Sequence, residues 1–188
     1  MPITHTSRTG KIYYLHTGPK RGGGVQHFFS TKSSGALADE LPEGFEIHES
    51  VNGQVFLQRK QPKLIRDDET AIIERGLEKP RGDNLYQLEA RGKTLTIFEG
   101  QDRLGGLREA FPWIGSQKKA AMREQFAVYL PVMRFILVDE EKRLFSPERY
   151  CFRGNTDDWI FIGAPAPLKK LAAKYLKHLG RESFFELF

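Results

Sequence analysis

The densest mixture of acids, arginines and aromatic rings in the chain runs from Glu148 to Trp159. Two adjacent carboxylates read as loop residues, Asp157 and Asp158, could hold Mg²⁺, which takes oxygen ligands. Cys151 could act as a nucleophile if Arg149 or Arg153 lowered its pKa. The plain alternative is that the aspartates cap turns and pair with arginine. A single cysteine between Tyr150 and Phe152 then serves as buried filler.

A second concentration of chemistry lies at Gly18–Gly24. Lys20 and Arg21 precede three consecutive glycines. Backbone N–H groups beside two cations can contact phosphates. No Gly-Lys-Ser/Thr follows at P-loop spacing, so this is not a nucleotide-phosphate cradle of that type. Tyr13, Tyr14, Phe28 and Phe29 flank the turn, and a solvent-facing pair could stack on bases. The bland reading is a flexible turn over an ordinary aromatic core.

Four lysines, Lys169, Lys170, Lys174 and Lys177, occupy the polar face of a helical pattern near the end of the chain, with His178 beside them. Such a face can track a phosphate backbone or an anionic membrane. Lysines on an amphipathic helix also serve simply as a solvated face whose stems cover apolar neighbours.

The histidines, His5, His16, His27, His48 and His178, have no i, i+4 or close Cys/His spacing, so no zinc site is written locally. His16 and His27 are expected near each other across a hairpin, with Glu46 or His48 as further ligands in three dimensions. No G-x-S-x-G, dinucleotide glycine pattern or CxxC pair occurs. No cofactor is implied.

The elements that must position these residues read as strands and a few helices. Lys11–His16 and Val25–Ser30 form one hairpin, after a lead-in over 1–10 without periodicity. Ser34–Leu41 reads as a short helical turn. Gly44–Glu49 and Gln54–Gln58 form a second hairpin around Asn52-Gly53. Asp67 or Asp68 caps a helix running to about Gly76. Leu85–Ala90 and Thr94–Phe98 make a third hairpin, and a short helix falls near Leu104–Phe111.

Ser116 starts a helix to about Leu130, with Met122, Phe126, Tyr129 and Leu130 on one face and Pro131 closing it. Arg134–Val138 is a strand that returns at Leu144-Phe145. Tyr150–Phe152 and Trp159–Ile162 are short strands joined by a loop over 154–158. The final helix carries Leu168, Leu171, Ala172, Tyr175, Leu176 and Leu179 at helical spacing, opened by Pro167 and stopped by Gly180. The implied fold class is α+β, mainly antiparallel hairpins packed with three to four helices. It reads as one domain over 1–188, with a weak subdivision near 62–68.

Composition sets the outer bounds. With 39% hydrophobic and 28% charged residues, and 14 Phe, 6 Tyr and 2 Trp, 188 residues suffice for a sizeable core. The lone cysteine rules out an internal disulfide and fits a reducing compartment. No basic n-region with an apolar run opens the chain, and no stretch approaches membrane-spanning length. Cytoplasm is the expected location. The net charge of +5 is uneven, with no acid before Asp39 and basic ends around an acidic middle. That asymmetry can attract polyanions, or simply solubilise.

Several stretches look familiar together. They are Tyr13–Leu15 with Phe28–Ser30, Pro42–Ile47, Asn52–Leu57, Cys151–Gly154 with Asp157–Trp159, and His178–Phe185. Through them the chain resembles a group of uncharacterised bacterial proteins. The resemblance covers most of the chain and brings no activity, ligand or catalytic residue.

Three functions remain open at this level. The favoured one is a non-catalytic nucleic-acid (polyanion) binding module using Lys20, Arg21, Lys169, Lys170, Lys174 and Lys177. The alternative is a protein–protein interaction or scaffold protein. The third is a metal-assisted hydrolase using Asp157 and Asp158.

Overall fold

The strands and helices come from period-2 and period-3.6 patterning, punctuated by glycine. The computed structural model describes residues 1–78, 84–101, 115–153 and 156–187. In chain order the elements are β1 (Thr4–Thr6), β2 (Ile12–Pro19), β3 (Val25–Ser30), β4 (Phe45–Glu49), β5 (Val55–Arg59), α1 (Asp67–Leu77), β6 (Leu85–Arg91) and β7 (Thr94–Gln101). Then follow α2 (Ser116–Phe126), β8 (Val128–Asp139), β9 (Leu144–Arg153), β10 (Thr156–Phe161), β11 (Ala166–Pro167) and α3 (Leu168–Tyr175). Single 3₁₀ turns lie at Leu176–His178 and Glu182–Phe184. Every strand pair is antiparallel, so the class is α+β with antiparallel sheet.

Three α-helices stand among the described residues, rather than three to four packed on hairpins. The expected helix near Leu104–Phe111 lies outside the described residues. Ser34–Leu41 is not a helical turn. Gly35 takes φ +117°, and Ala36 and Ala38 exchange backbone hydrogen bonds with Thr17, Leu15 and Ile3 instead.

The chain divides into two units, Met1–Gln61 with Leu104–Phe126, and Pro62–Arg103 with Ala127–Phe188. In the first, β1-β2-β3 form one sheet and β4-β5 another. The lead-in is therefore partly strand. Thr4 and Thr6 are β-branched and pair with Tyr14 and Ile12. His5 Nε2 lies 2.7 Å from Glu49 Oε2. Arg8 ties the unit together. Its backbone N–H donates to Glu49 Oε1 at 2.6 Å, its Nε to the Val51 carbonyl at 2.5 Å, and its Nη1 to the Glu124 and Gln125 carbonyls at 2.8 and 3.2 Å. The Asn52-Gly53 signal is realised, with Gly53 at φ +72° and its N–H donating to the Ser50 carbonyl.

In the second unit β10-β9-β8-β7-β6 form one sheet, and β11 adds to β9. α1 and α3 cover one face. Leu95 and Ile97 (β7), Met133, Phe135 and Leu137 (β8) and Phe145 (β9) meet Ile73 of α1 and Leu168, Leu171, Ala172 and Tyr175 of α3. Each fully buried Leu, Ile or Phe side chain contributes about 1.5–3 kcal/mol, so this face dominates the unit's stability. The cap of α1 is not Asp67 or Asp68 but the residue before them. Arg66 is the N-cap, and Glu69 accepts the Arg66 N–H at 2.9 Å while Asp67 and Asp68 fill the first turn.

Several readings from the sequence are corrected. The helix from Ser116 ends at Phe126, and Tyr129, Leu130 and Pro131 belong to β8. Pro131 does not close a helix. It sits opposite Phe98 where the register with β7 shifts, a position at which a missing N–H is tolerated. Residues 156–158 are strand, not loop, and Leu144–Arg153 is one long strand rather than two short ones. No helix among the described residues is long and apolar enough to cross a membrane.

Candidate functional site

At the tip of the β2–β3 hairpin, Pro19 and Val25 form the last strand pair. Lys20 N–H then donates to the Gly24 carbonyl at 2.9 Å and Gly23 N–H to the Lys20 carbonyl at 3.0 Å. Gly22, Gly23 and Gly24 take φ +104°, +97° and +90°, and an added Cβ would meet nothing within 4 Å at any of them. Glycine is thus demanded by backbone conformation and not by packing. The amides of Gly22 and Gly24 have no acceptor among the described residues. Lys20 and Arg21 are exposed and paired with no acid among the described residues. Of the four flanking rings, Tyr13, Tyr14 and Phe29 are half-buried and only Phe28 is exposed. Phe28 stacks on His16 with centroids 5.5 Å apart and planes 13° from parallel. One ring, not a pair, is wet.

The lysine helix α3 buries Leu168, Leu171, Ala172 and Tyr175 and exposes Lys169, Lys170 and Lys174; the α-helix ends at Tyr175 rather than running to Gly180, and Lys177 is exposed on the 3₁₀ turn that follows. The four are not equivalent. Lys174 Nζ donates to Tyr175 Oη at 2.9 Å and sits 4.7 Å from the same ring. Lys169 and Lys177 line a groove of about 520 Å³ against α1, which contributes Asp68 and Arg75 to its rim and Ile72 to its floor. Gly76 brings the helices together, because a Cβ there would lie 2.3 Å from Leu176 Cδ1. His178 adds no charge to this face at neutral pH. Burial pushes its pKa down, and the Lys177 and Arg181 charges push the same way. Its Nδ1 lies 2.9 Å from Ser183 Oγ.

The other sequence candidates disperse. Asp157 and Asp158 are consecutive strand residues, opposite Phe152 and Cys151, so their side chains leave opposite faces and do not converge on one ion. Asp158 Oδ1 accepts the Trp159 N–H at 2.7 Å. Among the described residues no group of three or more His, Cys, Asp or Glu side chains is placed to hold a metal. Arg149 is buried and donates to the Phe185 and Leu187 carbonyls at 3.1 and 2.9 Å, so its guanidinium serves the chain end rather than Cys151. His16 pairs with Phe28 and His27 with Thr17, which puts the two histidines on opposite faces of the hairpin. His16 Nε2 lies 2.9 Å from the Lys32 carbonyl oxygen, and Glu46 Oε1 accepts from Gln58 Nε2 at 3.1 Å.

Sequence reasoning missed Arg75 and the groove it shares with Lys169 and Lys177. The only sequence signal was Gly76 within a helical pattern, a mark of close helix approach. Comparison with protein-family models, with curated proteins and with solved structures finds no match.

Proposed function

We propose that the chain is a non-catalytic polyanion binder, with nucleic acid as the favoured polyanion. One observation carries the reading. Lys20, Arg21, Lys169, Lys170 and Lys177 are all exposed and bound to no acidic side chain among the described residues. Free cations release counterions when they meet phosphates, and that release drives non-specific binding. The hairpin tip offers two unengaged amides beside its cations, and Phe28 offers one ring for stacking. The α1–α3 groove brings Arg75 to Lys169 and Lys177.

Fluorescence anisotropy with labelled single- and double-stranded DNA and RNA, from low to physiological salt, tests it. Micromolar binding with a steep salt slope is expected. No binding at low salt would remove the reading.

A protein partner is the second reading. The apolar floor of Ile72, Ala172 and Leu176, under a rim of Arg75, Lys169 and Lys177 with one acid, Asp68, suits an acidic amphipathic segment better than a phosphate backbone. Ala173→Arg fills that groove without removing charge. Retained nucleic-acid binding in this variant separates the two occupants.

A further inference from the structure

The second unit holds a cavity whose charge is opposite to that of the chain. It measures about 450 Å³ and lies between β7, β8, β9 and the last 3₁₀ turn. Aromatic rings form much of its lining, among them Tyr150, Phe152 and Phe185. Tyr150 packs against Phe152 at 4.7 Å and meets the edge of Trp159 at 5.1 Å, so the Tyr150 ring is fixed on two sides. Phe152 and Phe185 remain 57% and 66% exposed. Large rings left wet around one cavity mark a surface that binds something apolar.

The acidic and basic side chains of the lining are Glu99, Glu182 and Arg181. Two carboxylates face one guanidinium, in a chain whose net charge is +5. Glu99 is held in place. Its Oε1 accepts from Asn84 Nδ2 at 2.8 Å and from Tyr86 Oη at 3.1 Å, while Oε2 has no partner among the described residues. A carboxylate fixed through one oxygen by two neutral donors retains its other oxygen for a further donor. Electron-rich ring faces favour a cation as well. The volume falls in the range of small-molecule sites, about 300–1,000 Å³.

We infer that this cavity binds a small molecule with a planar aromatic ring and a protonated amine. The ring lies among Tyr150, Phe152 and Phe185. The ammonium donates to Glu99, with Glu182 adding its negative charge. Arg181 is the one cation of the lining among the described residues and disfavours a second positive group on the ligand. The site shares no residue with Lys20, Arg21 or the lysine helix, so it stands or falls apart from polyanion binding.

Calorimetric titration of the full chain with phenethylamine, phenylalanine and phenylacetate tests the inference. These probes share one phenyl ring and carry an ammonium, both charged groups, or a carboxylate, respectively. Saturable binding of phenethylamine, at least about tenfold tighter than phenylacetate, is expected, since one charge-assisted hydrogen bond is worth that factor or more. Glu99→Gln and Phe152→Ala should each weaken phenethylamine by about tenfold or more. Glu182→Gln, at an exposed position, supplies the charge test should Glu99→Gln fold poorly. Tighter phenylalanine than phenethylamine would extend the site to amino acids through Arg181 and leave the amine requirement intact. Equal or tighter phenylacetate, no saturation at millimolar probe, or phenethylamine affinity unmoved in both glutamate variants would overturn it.

Discussion

Arg143 grips Glu69 across 74 residues of sequence with two hydrogen bonds, Nε to Oε1 at 2.9 Å and Nη2 to Oε2 at 2.5 Å. The same Nη2 donates to the Leu64 carbonyl at 3.1 Å. The β8–β9 turn is thereby fastened to the start of α1, and Arg143 accepts a positive φ of 50° to make the reach. Glu69 also holds the Arg66 N–H, so one carboxylate caps the helix and anchors the turn.

Removing either partner strands the other. Arg143→Met leaves a buried carboxylate with only its cap bond, and about 3 kcal/mol of stability should be lost. Glu69→Gln should cost less, because the amide oxygen can still accept. Urea unfolding of the two variants checks the order, and a loss below about 0.5 kcal/mol for Arg143→Met would refute the coupling.

The pair also sets an acid limit. Burial pushes the Glu69 pKa up, but the Arg143 and Arg66 donors outweigh it and hold the carboxyl below its ordinary value. A depressed carboxylate stabilises the fold above its unfolded pKa, near 4.5, and loses that contribution as pH falls through the folded pKa. Melting temperature should therefore fall below about pH 4.5 in the parent, and less steeply in Glu69→Gln. His178 works in the same direction at higher pH. Burial, reinforced by Lys177 and Arg181, lowers its pKa, so the unfolded state takes up the proton first as pH drops below 6.5. His178→Gln should flatten the melting profile as pH falls below 6.5.

Gly163 and Tyr175 should show non-additive mutations. A Cβ on Gly163 would stand 2.0 Å from Tyr175 Oη, which donates to the Ile162 carbonyl at 2.6 Å. Gly163→Ala must displace that hydroxyl and should cost about 1–3 kcal/mol. Tyr175→Phe removes the hydroxyl and loses about 1 kcal/mol by itself. Their combination should cost less than the sum, by on the order of 1 kcal/mol. Strict additivity in denaturant unfolding would count against the contact.

Salt dependence should follow the individual lysines. Lys20→Glu with Arg21→Glu should lower the slope of log affinity against log salt by roughly 2, about one unit per lost phosphate contact. Lys174→Ala should change it less than Lys169→Ala, because Lys174 is already held by Tyr175. Equal slopes for those two lysine variants would show that the tether does not matter.

The hairpins were legible because their turns demand particular residues. Asn52-Gly53 announces a reversal whatever lies around it. α3 was legible because Leu168, Leu171, Ala172 and Tyr175 keep one face apolar, but the same spacing in Leu176 and Leu179 hid the change to a 3₁₀ turn after Tyr175. Tyr129 and Leu130 were misread because their spacing from Met122 also suits a helix, and only pairing with β7 decides for strand. Thr4 and Thr6 carry too short a pattern to announce a strand that exists through its partner β2. The candidate cations were visible as residues, but not their ranking. Lys174's tether to the adjacent Tyr175 and the burial that lowers the His178 pKa depend on how side chains pack, and the approach of Arg75 depends on a helix far along the chain. The aspartates misled for a simple reason: adjacency in sequence is divergence on a strand.

Arg149, deep in β9, has its own consequence. Arg149→Ala frees the Phe185 and Leu187 carbonyls and should cost about 2–3 kcal/mol. Amide exchange should speed up first at 184–187, and unchanged exchange there would deny the tether.

Neither unit is one continuous stretch of chain. The first borrows Leu104–Phe126, and the second is assembled from the segments on either side of that insert. No single cut can therefore release an intact unit. A fragment ending at Gln61 lacks Glu124 and Gln125, whose carbonyls Arg8 grips, while a fragment beginning at Pro62 carries the orphaned α2 inside it. Vectorial synthesis meets the same constraint. The first sixty residues emerge early yet must wait for α2, and by then β6 and β7 are already outside without β8.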